Sequence, residues 1–214
     1  MHNYMKETIL MNIKRIVTSV YTENCYIFWD KANNGGVIDP GSDFNKIDTF
    51  ITENKINIRT ILLTHSHFDH IGAAEELSKK YGISVKMAYS EKEVLEEPEN
   101  SLEVNFEVPE KIEYFREGDI INIGDIRLKV IETPGHTKGS VCFYEEKEKI
   151  LFAGDTLFRT TVGRWDLPTG SYKDLEDSIK NKLYILPDDV KVHSGHGFST
   201  TIGKEKGSNG VIRC

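Results

Sequence analysis

The sequence predicts an α/β protein in which helices cover sheets, and three observations carry that expectation. In the first third of the chain, runs of β-branched and aromatic residues alternate with stretches of helical period. In the second half, short strand-like runs follow one another between glycines, and a further helix and a last strand close the series. At 214 residues the chain has the length of one domain, with a core over about 13–197.

Asn12–Val20 and Asn24–Asp30, rich in Ile, Val, Tyr and Phe around a polar turn, read as two strands, and Gly36–Asp39 reads as a third. Asp43 is placed to cap a helix whose apolar Phe44, Ile47, Phe50 and Ile51 recur at helical spacing, and Ile58–Thr64 follows as a buried strand. His70–Tyr81 sets Ile71, Ala74, Leu77 and Tyr81 on one helical face and stops at Gly82. Ile83–Ala88 returns as a strand, a short helix starts from Ser90, and the charged, proline-containing Glu96–Glu110 reads as a long loop. Tyr114–Arg116, Asp119–Ile123, Arg127–Glu132, Ser140–Glu145 and Ile150–Ala153 are short strands punctuated by Gly118, Gly124 and Gly139. A helix around Tyr172–Leu183 and a last strand at Val190–His193 complete the reading. No internal repeat or linker divides the chain, and residues 1–10, ahead of Met11, read as a loose extension or an upstream start.

Composition narrows the class. A hydrophobic share of 38% with 29% charged residues lies outside the disordered regime, and no stretch approaches the ~18 apolar residues of a membrane span. The formal charge of −7 argues against nucleic acid or an anionic membrane as partner. Cys25, Cys142 and Cys214 form no CxxC pair and cannot all bridge internally, and the N-terminus lacks the apolar core of a signal peptide. Both features point to the cytoplasm.

The chemistry is concentrated in His65-Ser66-His67-Phe68-Asp69-His70, directly after a buried strand and at a helix start. One histidine in a turn is most simply a solvated cap, but three with a carboxylate between them form a metal-binding pattern. His136 in Thr133-Pro134-Gly135-His136-Thr137, Asp155 in Phe152-Ala153-Gly154-Asp155-Thr156 and His196 in Ser194-Gly195-His196-Gly197 each sit just past a strand, beside a glycine that lets the backbone turn sharply. Imidazole and carboxylate ligands suit zinc first, with iron or manganese as alternatives, and seven such groups exceed the needs of one tetrahedral ion. Two divalent ions are the natural count. A water shared between ions ~3.5–4 Å apart ionises near neutral pH, so the implied chemistry is hydrolysis.

In this order, His65-x-His67-x-Asp69-His70 followed by His136, Asp155 and His196 resembles the metallo-β-lactamase superfamily over roughly Ile13 to Gly197. Ile38-Asp39-Pro40-Gly41 and Val130-Ile131-Glu132-Thr133-Pro134-Gly135-His136-Thr137 are also usual there. Ser194 and Ala73 depart from the common pattern, and neither change removes a ligand. The resemblance implies a four-layer αββα sandwich with two metals in a cleft along one edge of the sheets. It implies one metal on His65, His67 and His136, the other on Asp69, His70 and His196, and Asp155 as the bridge. Gly154-Asp155-Thr156-Leu157-Phe158, then Gly163-Arg164-Trp165-Asp166-Leu167-Pro168, resembles the small bacterial glyoxalase II-like branch. That resemblance implies a small-molecule thioester or ester substrate, cleaved by a hydroxide held between the metals.

Arg159 and Arg164 follow Asp155 closely enough to pair with a substrate carboxylate, the alternative being solvated or turn-holding arginines. Lys138 invites the same pair of readings. Asp69 is a candidate catalytic group as well as a ligand, because a carboxylate beside the attacking water can hold its proton. Tyr21, Phe68, Phe158 and Trp165 are candidates for the cleft wall or for plain packing, while Cys25 and Cys142 read as buried apolar residues. Asp39 reads as structural, accepting from backbone or from the outer N–H of a metal-bound imidazole. A mononuclear iron persulfide dioxygenase is the second reading, since two histidines and a carboxylate suffice for non-haem iron, and a non-catalytic binding protein is the third. Lactam hydrolysis is set aside for want of an export signal, and nuclease activity on length and charge.

Overall fold

Strand alternation sorts the apolar side chains into three clusters, and these define the layers. The computed structural model describes residues 11–96 and 107–213, so the extension over 1–10, most of the Glu96–Glu110 loop and Cys214 lie outside the described residues. One six-stranded sheet runs in chain order: β1 (Asn12–Val17), β2 (Asn24–Trp29), β3 (Asn34–Ile38), β4 (Asn57–Leu62), β5 (Val85–Ala88) and β6 (Ile112–Phe115). Its first three strands pair antiparallel and the rest parallel. The other sheet holds β7 (Ile120–Ile123), β8 (Ile126–Glu132), β9 (Val141–Glu145), β10 (Ile150–Gly154), β11 (Lys191–Ser194) and β12 (Thr200–Thr201), also in chain order. There only β10 and β11 run parallel.

The helices are α1 (Phe44–Glu53), α2 (Phe68–Ile71), α3 (Ala74–Tyr81), α4 (Lys92–Glu96), α5 (Tyr172–Ser178), which continues into a π turn over Ile179–Leu183, and α6 (Ile202–Ser208). On β2, Tyr26 and Phe28 face inward to meet Val141 and Phe143 of β9 and Phe152 of β10, forming the layer between the sheets. The alternate residues Cys25 and Ile27 face outward onto Ile47 and Ile51 of α1 and Leu77 of α3. Cys142 and Leu151 do the same on the far sheet, against Leu175, Ile179 and Ile202. The period of two in each strand thus produces the αββα sandwich.

Three local expectations are corrected. Asp43 does not cap α1 with its side chain: it stands in a left-handed conformation, and its carboxylate accepts from Ser19 N–H at 3.0 Å and Ser19 Oγ at 2.6 Å. The helix expected over His70–Tyr81 is two helices, broken because Ala73 N–H donates to the Pro40 carbonyl at 2.8 Å instead of continuing the helical ladder. Gly82 does end α3, with φ +65 and its N–H on the Ser78 carbonyl. The chain also does not finish its regular structure at β11, since β12 and α6 follow, with Thr201 Oγ1 accepting from Lys204 N–H at the start of α6. Ile202 of α6 helps seal the outer face of the second sheet.

Candidate metal centre

Seven side chains converge where strand ends of the two sheets meet. The first sheet supplies His65 and His67, just past β4, with Asp69 and His70 on α2; the second supplies His136, Asp155 and His196, past β8, β10 and β11. The Val141 N–H to Thr64 carbonyl bond at 2.9 Å ties the two groups of loops together. Gly195 keeps the centre open: a Cβ there would lie 2.2 Å from Asp155 Oδ1 and 2.8 Å from His70 Cε1.

Within this centre, ring nitrogens of His65, His67 and His136 lie within 4.8 Å of one another, as do single ligand atoms of Asp69, His70 and His196. Asp155 reaches both sets. Its Oδ1 is 3.4 Å from His70 Nε2, while Oδ2 is 3.5 Å from His196 Nε2 and 3.6 Å from His136 Nε2. Asp69 Oδ2 stands 3.3 Å from His196 Nε2. Asp39, His65 and His70 form a further close group, but Asp39 is engaged outward.

The outer hydrogen bonds orient the rings. Thr64 donates its N–H to Asp39 Oδ1 at 2.7 Å and its hydroxyl to Oδ2 at 2.6 Å, so the hydroxyl oxygen is free to accept from His65 Nδ1 at 3.1 Å. His70 Nδ1 donates to Asp39 Oδ2 at 3.1 Å, and His136 Nδ1 donates to the Arg164 carbonyl at 2.7 Å. With Nδ1 as donor, each neutral ring turns the lone pair of Nε2 toward the centre. His65 Nε2, His70 Nε2 and Asp155 Oδ1 are buried without a hydrogen-bond partner, which orphaned polar atoms avoid unless a further group satisfies them. The donor set of imidazoles and carboxylates fits divalent zinc, iron or manganese.

Electrostatically the two sets differ. Burial, reinforced by neighbouring histidines, holds His67 down to about 3 and keeps His65 well below the ordinary histidine value. Burial also lowers His136, partly offset by Asp155. On His196 burial opposes the charge, but hydrogen bonds to Asp155 and Asp69 outweigh it and lift the ring to about 9. His70 follows the same logic, with burial overcome by Asp155 and Asp69. Asp155 and Asp69 stay ionised, since His70 and His196 more than offset burial.

The supporting residues divide. Arg164 contributes its carbonyl to the centre, whereas its guanidinium, expected to meet a substrate, is exposed and ion-paired with Asp166 at 2.9 and 3.1 Å. Arg159 is exposed in the turn closed by the Leu157–Val162 bridge, and Lys138 is ion-paired with Glu93. Phe158 packs 6.0 Å from the His196 ring and Phe68 packs 5.5 Å from Tyr21, beside the centre, while Trp165 packs on Tyr172. Cys25 and Cys142 are buried and free. Thr64, which links Asp39 to the His65 ring, is a supporting residue that sequence reasoning does not single out, and its place beside His65 at a strand end is the signal that points to it.

The sequence profile of the metallo-β-lactamase superfamily matches residues 19–196. The chain belongs to the metallo-β-lactamase superfamily. It is 36% identical over 206 residues to the hydroxyacylglutathione hydrolase GloC of Haemophilus influenzae, covering 93% of this chain and 97% of that one. Among solved structures, the BLEG-1 B3 metallo-β-lactamase superposes with a TM-score of 0.86 at 35% identity, covering 92% of this chain and 98% of the other. TTHA1623 in a di-iron-bound form superposes with a TM-score of 0.82 at 31% identity, over the same shares. This superfamily member is a metallohydrolase. No helix among the described residues is long and apolar enough to cross a membrane.

Proposed function

We propose that the protein is a dinuclear thioester hydrolase, acting as a single domain on a small-molecule substrate. The observation that carries this reading is Asp155, whose two carboxylate oxygens reach histidines of both triads at 3.4–3.6 Å. His65, His67 and His136 would hold one divalent ion, and Asp69, His70 and His196 the other. Zinc is the first choice by ligand type, with iron supported by the di-iron neighbour. Such ions supply Lewis acidity toward a carbonyl oxygen and bring the ionisation of water into the neutral range.

The chain's own groups do the positioning. Asp69 stays ionised and accepts a hydrogen bond from the attacking water, orienting it toward the acyl carbon; the water's oxygen forms the new C–O bond as the C–S bond breaks, one water proton passes by way of Asp69 to the departing sulfur, and a carboxylic acid and a thiol are released. Asp39 and the Arg164 carbonyl lock the His70 and His136 rings in the tautomers that binding needs. Phe158, packed on the His196 ring, and Phe68, next to Asp69 in the chain, give the centre an apolar flank for the substrate. The thioester class is supported by the GloC relative at 36% identity, and the cytoplasm by two buried free cysteines.

The test is metal content of protein purified without added metal, with hydrolysis of S-lactoylglutathione and of a chromogenic cephalosporin assayed on the same sample. Two equivalents of metal with thioester cleavage, reduced to background in Asp155→Ala, are expected. Cephalosporin turnover without thioester cleavage would move the reading to β-lactam hydrolysis, which the BLEG-1 likeness favours. A single iron with oxygen consumption on a persulfide would overturn hydrolysis altogether.

A further inference from the structure

We infer that Glu91 is a positioning residue that sets the distance between the loop carrying His65 and His67 and the loop carrying His136. The inference rests on the reading of these three histidines as ligands. Glu91 ends a 3-10 turn, Tyr89–Glu91, after β5 and is fully buried. Its Oε2 accepts from Ser66 N–H at 2.8 Å and from Ser66 Oγ at 2.7 Å. Its Oε1 accepts from Gly139 N–H at 3.0 Å and from Thr137 Oγ1. Ser66 sits between His65 and His67, and Thr137 follows His136, so one carboxylate takes two donors from each ligand loop.

The approach is close enough to constrain the sequence opposite. A Cβ on Gly139 would lie 2.5 Å from Glu91 N and 2.8 Å from Glu91 Oε1, so glycine is what lets this loop seat on the carboxylate. A carboxylate is an acceptor only, and four donors saturate it. An amide of the same shape would turn one oxygen into a donor facing two other donors, so glutamine cannot substitute. Aspartate, one methylene shorter, cannot span both loops. The donors adjoin or closely follow His65, His67 and His136 along the chain and none adjoins Asp69, His70 or His196, so the effect of Glu91 falls first on the geometry of the three-histidine set.

The experiment compares Glu91→Gln with the wild type by histidine-ring ¹⁵N NMR of the metal-free protein and by zinc titration against a chelator. The expected result is displaced His65, His67 and His136 ring signals with His70 and His196 unchanged, and one of two zinc-binding steps weakened about 10–100-fold. Glu205→Gln is the control for loss of a buried carboxylate, because Glu205 accepts from Thr160 N–H, Thr200 Oγ1 and Asn209 Nδ2 away from the centre. It should lower thermal stability and leave ring signals and both zinc steps in place. A folded Glu91→Gln protein with wild-type ring signals and zinc steps, or one that matches Glu205→Gln in every readout, overturns the inference. If Glu91→Gln does not fold, Ser66→Ala and Thr137→Val decide in its place: unmoved ring signals in both overturn it, and moved ones uphold it. A wild type that binds fewer than two ions defeats the dinuclear reading, while the metal-free ring signals still decide the role of Glu91.

Discussion

A histidine must shed its ring proton before it can bind a cation, so the surroundings of each imidazole set how strongly protons compete with metal. His67, held near 3, and His65, held low by burial, offer free lone pairs across the neutral range. His196, lifted to about 9, and His70, raised by Asp155 and Asp69 against burial, must each release a proton at pH 7. Acidification from pH 8 to pH 6 should therefore weaken binding at the Asp69, His70 and His196 set by close to tenfold per pH unit for each proton displaced, and change the three-histidine set little. Zinc titrations against a chelator at pH 6, 7 and 8 measure both steps, and equal loss from both would contradict the assignment. Without metal the signs are opposite for the two kinds of ring. His67, with a folded value below the unfolded ~6.5, costs stability as pH falls from about 6.5 toward 3. His196 contributes stability below about 6.5 that is lost as pH rises through 9.

At the scale of elements, the centre is made by the loops that leave four strand ends, and glycines decide how near those loops come. Gly195 does not use a left-handed backbone, so a methyl group there acts by volume alone, against Asp155 Oδ1 at 2.2 Å and His70 Cε1 at 2.8 Å. Gly195→Ala should weaken metal binding by at least about tenfold while the metal-free protein keeps its circular dichroism spectrum. Wild-type affinity in that variant would mean that the Asp155 and His70 side chains are not held as close as they stand here. Strand β8 was legible in the sequence because its apolar and charged residues alternate, β2, β9 and β10 because burial on both faces gives near-continuous apolar and aromatic runs, and the His65–His70 cluster because four chemically informative residues fall within one loop. The break between α2 and α3 was not legible, since it depends on the Pro40 carbonyl, far away in sequence. Nor were β12 and α6, a two-residue strand and a glycine-containing helix that gain their stability from packing on the second sheet. Glu91 lay in a charged neighbourhood where nothing local distinguishes a buried carboxylate from a solvated one.

At the scale of the whole molecule, the seven side chains come from both sheets, and the centre therefore couples layers that also meet through the apolar contacts of Phe28, Phe143 and Phe152 and through hydrogen bonds such as Tyr26 Oη to the Ser194 carbonyl. An ion bound to His65 and His67 from the first sheet and to His136 from the second is a cross-link that exists only in the folded state. Ligands that bind only the native state stabilise it by mass action, by about 2.7 kcal/mol for one site at a free concentration one hundred times Kd. For a chain of this size each kcal/mol shifts the melting temperature by about 2–4 °C, so zinc at that level should raise Tm by about 5–11 °C for each occupied site, and a chelator should reverse the shift. Asp155→Ala removes the carboxylate shared by the two sets and should shrink the zinc-dependent shift; it should also lower Tm of the metal-free protein, because His70 and His196 lose the buried carboxylate that holds them protonated. Differential scanning calorimetry with and without zinc, on both proteins, gives the four temperatures needed. A melting temperature indifferent to zinc in the wild type would mean that the centre does not join the sheets through a bound ion, whatever its catalytic activity.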